Sequence, residues 1–204
     1  MTTILLIRHA ENEYVKKGKL AGRLQGVHLN ERGQGQAKAL AAALKGEKLT
    51  AIYSSPLDRA LETATPLARE QGLEVVTRWG LEESDIGDWA GKSLKRLSRS
   101  KAWKQMLMQP THFRFPGGES MPEQQARLVA EMDELLGIHR DKDTIACVSH
   151  ADPIKLVIAY YLGLPLDLFQ RISVATASVS RLHFSAHGFM LGSLNERLGE
   201  GEDD

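Results

Sequence analysis

The sequence predicts an α/β fold, a three-layer α/β/α sandwich with a mostly parallel central sheet. Two observations carry this. Short apolar runs alternate with segments whose apolar residues recur at helical spacing, the pattern of strands linked by crossover helices. Two of the runs, Ile4-Leu5-Leu6-Ile7 and Thr144-Ile145-Ala146-Cys147-Val148-Ser149, are apolar without alternation, as strands covered on both faces are.

The first strand ends in Arg8-His9-Ala10, and an irregular polar stretch follows from Glu11 to Asn30, with Gly18, Gly22 and Gly26. Ala37, Leu40, Ala41 and Leu44 share one helical face, and Gly46 is expected to end that helix. Ala51 to Ser54 reads as a second strand. Pro56 suits the first turn of the next helix, where Leu57, Ala60, Leu61, Ala64, Leu67 and Ala68 keep the spacing up to Gly72. A short strand is expected over Leu73–Thr77, a basic helix over Lys92–Leu107, and a loop over Pro110–Gly118. A long helix from Glu119 to Leu136 precedes the strand 144–149, and an apolar helix runs from Asp152 to Leu162. Two late strands are expected near Val179–Phe184 and Phe189–Leu194. Residues 1–195 thus read as a single domain with an insertion at about 91–118, and 196–204 as an acidic tail expected to be disordered.

Composition narrows the function. Lys+Arg and Asp+Glu both number 26 among 204 residues, so there is no positive excess to bind nucleic acid or an anionic membrane. No apolar run approaches the roughly 18–20 residues of a membrane span. A single cysteine excludes an internal disulfide and a Cys-based zinc cluster. Met1-Thr2-Thr3 leads straight into a strand with no secretory signal, so a cytoplasmic location is expected.

The polar residues at strand ends carry the chemistry. In open parallel sheets, ligands bind beyond the carboxyl ends of the strands. Three strand-to-helix junctions put Arg8-His9, Arg59 and His150 there. Guanidinium pairs with phosphate through a planar fork of donors, helix N-termini add N–H groups, and neutral imidazole is a nucleophile. That set suits phosphoryl transfer through a phosphohistidine. Such a reaction needs an acid for the leaving oxygen, and the carboxylates of Leu81–Gly91 offer one. The other histidines (His28, His112, His139, His183, His187) read as structural or solvated. Cys147 reads as a small buried hydrophobe, since a tyrosine-phosphatase-type cysteine needs an arginine six residues on, where Pro153 stands. The Asp141–Thr144 run reads as a helix–strand turn. No Gly-rich phosphate loop is present, which removes kinase and NTPase readings.

These residues lie in motifs that resemble the histidine phosphatase superfamily, the phosphoglycerate-mutase-like proteins. The resemblance rests on Arg8-His9-Ala10, Leu24 to Gly33, Ser54 to Ala60, Leu81 to Gly91, Pro116 to Ser120 and Ser149-His150, in order along nearly the whole chain. It implies His9 as the nucleophile and Arg8, Arg59 and a cationic His150 as the phosphate clamp. Glu83 is implied as proton donor, with Glu82 the alternative. Gln25 and Gly26 are implied as substrate-loop contacts beside Ala151. It implies no metal and no nucleotide cofactor, and a small phosphorylated metabolite as the only ligand. Two departures stand out: Ala10 replaces a glycine, and the Trp-Asn pair usual after the triplet is replaced by Tyr14-Val15, with Asn12 the candidate substitute. The expected activity is a metal-independent phosphatase. A phosphomutase and a non-catalytic phospholigand-binding domain are the alternatives, and an edge-strand homodimer is the one assembly considered. The basic residues Lys92, Lys95, Arg96, Arg99, Lys101 and Lys104 read as a solvated helix face, or as a guide for an anionic substrate.

Overall fold

A computed structural model describes residues 1–198. Its centre is a six-stranded sheet built from β1 (Thr2–Arg8), β2 (Ala51–Ser54), β3 (Val75–Thr77), β4 (Thr144–Ser149), β5 (Ser178–Ser185) and β6 (Gly188–Arg197). The strand order is β3-β2-β4-β1-β5-β6. The first four are mutually parallel, while β5 runs antiparallel to β1, and β6 antiparallel to β5.

Alternation along the strands divides the core in two. Leu5 and Ile7 of β1 join Ile52, Ala146 and Val148 on one face. There they meet Leu40 and Ala41 of α2 (Glu31–Ala43) and Ala60, Ala64 and Leu67 of α3 (Asp58–Gln71). Ile4 and Leu6 point the other way, with Tyr53, Ile145 and Cys147. They pack under Leu128, Met132 and Leu135 of α6 (Met121–Ile138) and Ile154, Leu156 and Ile158 of α7 (Ala151–Tyr161). The three layers of the expected sandwich are therefore present.

Local chemistry fixes the helix ends. Asn30 caps α2 by accepting from Gly33 N at 2.8 Å. Ser120 and Glu123 form a reciprocal capping box on α6. Gly72 closes α3 in the left-handed region, φ 64°.

Several boundaries differ from the sequence reading. α2 stops at Ala43, before Gly46, because Leu44 turns inward and is buried as its C-cap. The polar stretch after β1 holds a four-residue helix, α1 (Glu13–Lys16). The basic segment is two helices, α4 (Leu94–Leu97) and α5 (Lys101–Met108), because Ser100 caps the second through Trp103 N at 3.1 Å. A 3₁₀ turn, Pro110–His112, interrupts the expected loop. The ordered chain passes residue 195: β6 runs through Arg197, and Glu196 pairs with Arg181 at 3.1 Å. The rest of the expected tail, 199–204, lies outside the described residues.

Candidate active site

The register of the sheet brings the three junctions together. Arg8 is opposite Ser149, and Ser54 is opposite Val148. Two hydrogen bonds continue the ladders beyond the strands, His9 N to Ser149 O and Ser55 N to Val148 O, each 2.9 Å. His9 and His150 are therefore neighbours, with ring centroids 5.1 Å apart. His9 lines a cavity of about 570 Å³ together with Arg8, Asn12, Arg59, Glu83 and Ala151, whereas the fully buried His150 ring does not line it.

His9 is 3% exposed. Its Nδ1 lies 2.8 Å from Ala10 O, and a carbonyl only accepts, so Nδ1 carries the proton and Nε2 keeps a free lone pair. Burial first, then Arg59 and Arg8, holds its pKa well below the ordinary histidine value. A neutral imidazole with a bare Nε2 results.

The arginines are held by one contact each on their terminal nitrogens. Arg8 Nη1 donates to Val174 O at 2.7 Å, and Arg59 Nη2 to Gly22 O at 2.7 Å. Arg8 Nε and Arg59 Nε and Nη1 are buried without a protein partner. Asn12 divides its amide in the same way. Its Oδ1 caps α1 by accepting from Tyr14 N and Val15 N, while Nδ2 is buried and unpartnered. Buried polar groups are almost always paired, so this cluster of spare donors marks an anion site. Asn12 stands where the sequence reading put a substitute for the missing asparagine.

His150 is fully buried. Ser55 Oγ is hydrogen-bonded to its Nε2 at 2.8 Å and accepts from Leu57 N at 3.4 Å, and Nδ1 is buried without a protein partner. Burial, then Arg59, His9 and Arg8, pushes its pKa well below the usual range. The sequence reading expects a cationic His150; burial first, then the neighbouring guanidinium groups, favours its neutral form in this structure.

Glu83 lies across from these groups, its Oε2 3.8 Å from His150 Nδ1. Burial and Asp152 raise its pKa above the ordinary carboxylate value, against the opposing pull of Arg59 and Arg8. Its Oε1 accepts from Ser84 N (2.9 Å) and Ser84 Oγ (3.3 Å), so the proton of the neutral acid belongs on Oε2. Glu82, the alternative, turns away from the cavity and pairs with Arg23 at 3.2 Å.

The structure does not bring every expected residue to the cavity. Gln25 and Gly26 are exposed and do not line the cavity. A turn closed by Leu24 N to Ala21 O, and a bond from Gly26 N to Asp58 Oδ2 at 2.8 Å, fold that segment over the outside of α3. Gly22 takes the place at the cavity. It has φ +52°, and a Cβ there would come within 2.6 Å of Ile86. The six basic residues of the 92–104 segment are all exposed, and none lines the cavity; Leu94, Trp103, Met106 and Leu107 do. Trp103 stacks on Trp89 at 5.6 Å, which anchors this wall.

Sequence reasoning missed Val174, Ser55 and the pair Asp152–Lys155 (3.1 Å) on the cavity side of α7. Only the last had a signal, the i,i+3 spacing of opposite charges in a first helical turn. Among the described residues, no group of three or more His, Cys, Asp or Glu side chains gathers as a metal site, and no helix is long and apolar enough to cross a membrane.

Fold and site together define a class: an α/β protein with a donor-rich, arginine-lined cavity beyond the ends of β1 and β4, and a buried histidine within it. Residues 4–197 match the family model of the histidine phosphatase superfamily (branch 1), and the chain belongs to that family. It is 32% identical to phosphoserine phosphatase 1 of Hydrogenobacter thermophilus over 99% of this chain and 96% of the relative. A solved phosphoserine phosphatase of Entamoeba histolytica, in complex with 3-phosphoglyceric acid, superposes with a TM-score of 0.87 at 30% identity, covering 96% of this chain and 98% of that one. The solved mycobacterial glucosyl-3-phosphoglycerate phosphatase Rv2419c, in complex with VO3, gives 0.87 at 26% identity over 95% and 98%. The chain is a phosphoric monoester hydrolase.

Proposed function

We propose that this protein hydrolyses small phosphomonoesters without a metal, through a phosphohistidine on His9. The observation that carries the reading is the His9 Nδ1 contact with Ala10 O, which leaves Nε2 as a free nucleophile among the spare donors of Arg8, Arg59 and Asn12.

In the first step the Nε2 lone pair attacks phosphorus, and the bond from phosphorus to the ester oxygen breaks. Arg8, Arg59, Asn12 and His150 Nδ1–H donate to the other phosphoryl oxygens, where transition-state charge accumulates. Glu83 gives its Oε2 proton to the departing alkoxide. In the second step water attacks the phosphohistidine, and the Glu83 carboxylate takes the proton that water loses. The P–N bond breaks, and neutral His9 and protonated Glu83 return with inorganic phosphate released.

The test is phosphate release from a panel of phosphomonoesters, with EDTA present, by wild type and His9→Ala. Release by wild type alone supports the reading, and turnover by a folded His9→Ala refutes the covalent step. Transfer of phosphate back to an organic acceptor from a bisphosphate-primed enzyme, without release, would make the protein a phosphomutase. Binding of phosphate without turnover of any ester would make it a phospholigand-binding domain.

A further inference from the structure

Glu119 does not line the cavity, yet its carboxylate is mostly buried and takes three donors behind the proton-donor loop. Its Oε1 accepts from Asp85 N at 2.9 Å, Arg127 Nη2 at 3.1 Å and Arg23 Nη2 at 3.3 Å. The same arginines hold the backbone on either side of Glu83. Arg23 Nε donates to Glu83 O at 2.8 Å, and Arg127 Nη1 donates to Gly80 O (2.8 Å) and Glu82 O (3.1 Å). Glu119 N returns a bond to Asp85 O at 3.0 Å. The carbonyls of residues 80, 82 and 83 and both polar groups of residue 85 are thus fixed by one ion-paired unit.

The three members come from separate stretches of chain: the loop after α1, the turn before α6, and α6 itself. The approach is close enough to demand glycine. A Cβ on Gly118 would lie 2.2 Å from Asp85 O, and one on Gly87 2.2 Å from Pro116 O. A carboxyl group on a loop between β3 and α4 would otherwise wander by more than a proton transfer tolerates. A misplacement of about 1 Å costs on the order of a hundredfold in rate.

We propose that Glu119, through Arg23 and Arg127, is the positioning residue that sets Glu83 in reach of the leaving oxygen. The proposal rests on the reading of Glu83 as proton donor, and adds to it a residue that never meets the substrate. Removing the charge should therefore lower kcat/KM, which reports the first step alone, only for substrates that need a proton on the leaving group. A purely structural ion cluster would instead lower activity on all substrates alike.

The experiment compares wild type, Glu83→Gln, Glu119→Gln and the double variant. The substrates are p-nitrophenyl phosphate, whose leaving group needs little protonation, and the best alkyl phosphomonoester of the wild type. Glu119→Gln should lower kcat/KM on the alkyl ester by about 10- to 100-fold, and leave kcat/KM on p-nitrophenyl phosphate within about threefold. The double variant should be no worse on the alkyl ester than Glu83→Gln alone, because both changes remove one function. Arg127→Lys keeps the charge and loses the forked contacts; it gives the same readout if the Glu119 variant does not fold. Equal losses on both substrates, or no loss, while Glu83→Gln remains selective, would overturn the positioning role. An unselective Glu83→Gln would overturn the proton-donor reading itself, and the inference with it.

Discussion

Arg59→Met should make the protein inactive and, in phosphate-free buffer, more heat-stable. Arg59 is 1% exposed, and its one hydrogen bond is to Gly22 O. Nε and Nη1 have no partner. Each buried unpaired donor costs about 1–3 kcal/mol, whereas the charge-assisted bond to Gly22 returns about 1.5–3 kcal/mol. Methionine fills a similar apolar volume with neither the spare donors nor the charge. The balance favours the variant by about 1–3 kcal/mol. At about 2–4 °C per kcal/mol for a chain of this size, Tm should rise by several degrees. The wild type recovers its deficit when an anion fills the clamp. Inorganic phosphate at 100 times its Kd adds about 2.7 kcal/mol, hence about 5–10 °C. Differential scanning fluorimetry of both proteins with and without phosphate reads all four states. A variant that melts below wild type in phosphate-free buffer, or that gains as much from phosphate, would refute the account of Arg59 as a strained anion receptor.

Three further outcomes follow from the same geometry. With alkyl esters, kcat/KM should fall as pH rises through the raised pKa of Glu83, because only the protonated acid donates; Glu83→Gln should lack that basic limb in a pH–rate profile. Below pH 6.5 the unfolded chain binds protons that buried His9 and His150 refuse, so stability should decline from about that pH downward, as denaturant melts at a series of pH values would reveal. Gly87→Ala should lower Tm by at least several degrees, since the residue has φ +47° and the added methyl meets the Pro116 carbonyl at 2.2 Å; an unchanged melt would mean that the loop adjusts freely.

The clamp was legible in the sequence because its members sit at fixed offsets from strand ends. Parallel pairing of β1, β2 and β4 then converts three linear positions into one place. The nucleophile's tautomer was not legible, since it depends on a single carbonyl, Ala10 O. The motif resemblance favoured Glu83 over Glu82, but periodicity could not separate them, because adjacent residues of a loop have no repeat to assign a face. Arg23, sixty residues away in sequence, makes the distinction. Gln25 and Gly26 were misplaced for a related reason: no periodicity says how the loop after α1 folds, and its turn from Leu24 N to Ala21 O leaves Gly22 at the cavity. The downward direction of the His150 pKa was also beyond reach, since the burial and neighbouring charge that cause it belong to the assembled pocket.

The apolar wall on α4 and α5 divides the labour of the site in a way that matters for change over time. The spare donors that line the cavity belong to Arg8, Asn12 and Arg59, while Leu94, Trp103, Met106 and Leu107 come from a stretch that contributes none. Reaction and preference are therefore written in different parts of the chain. A lineage, or a directed-evolution library, can rewrite those four side chains to admit a new alcohol and keep the old chemistry at every intermediate step.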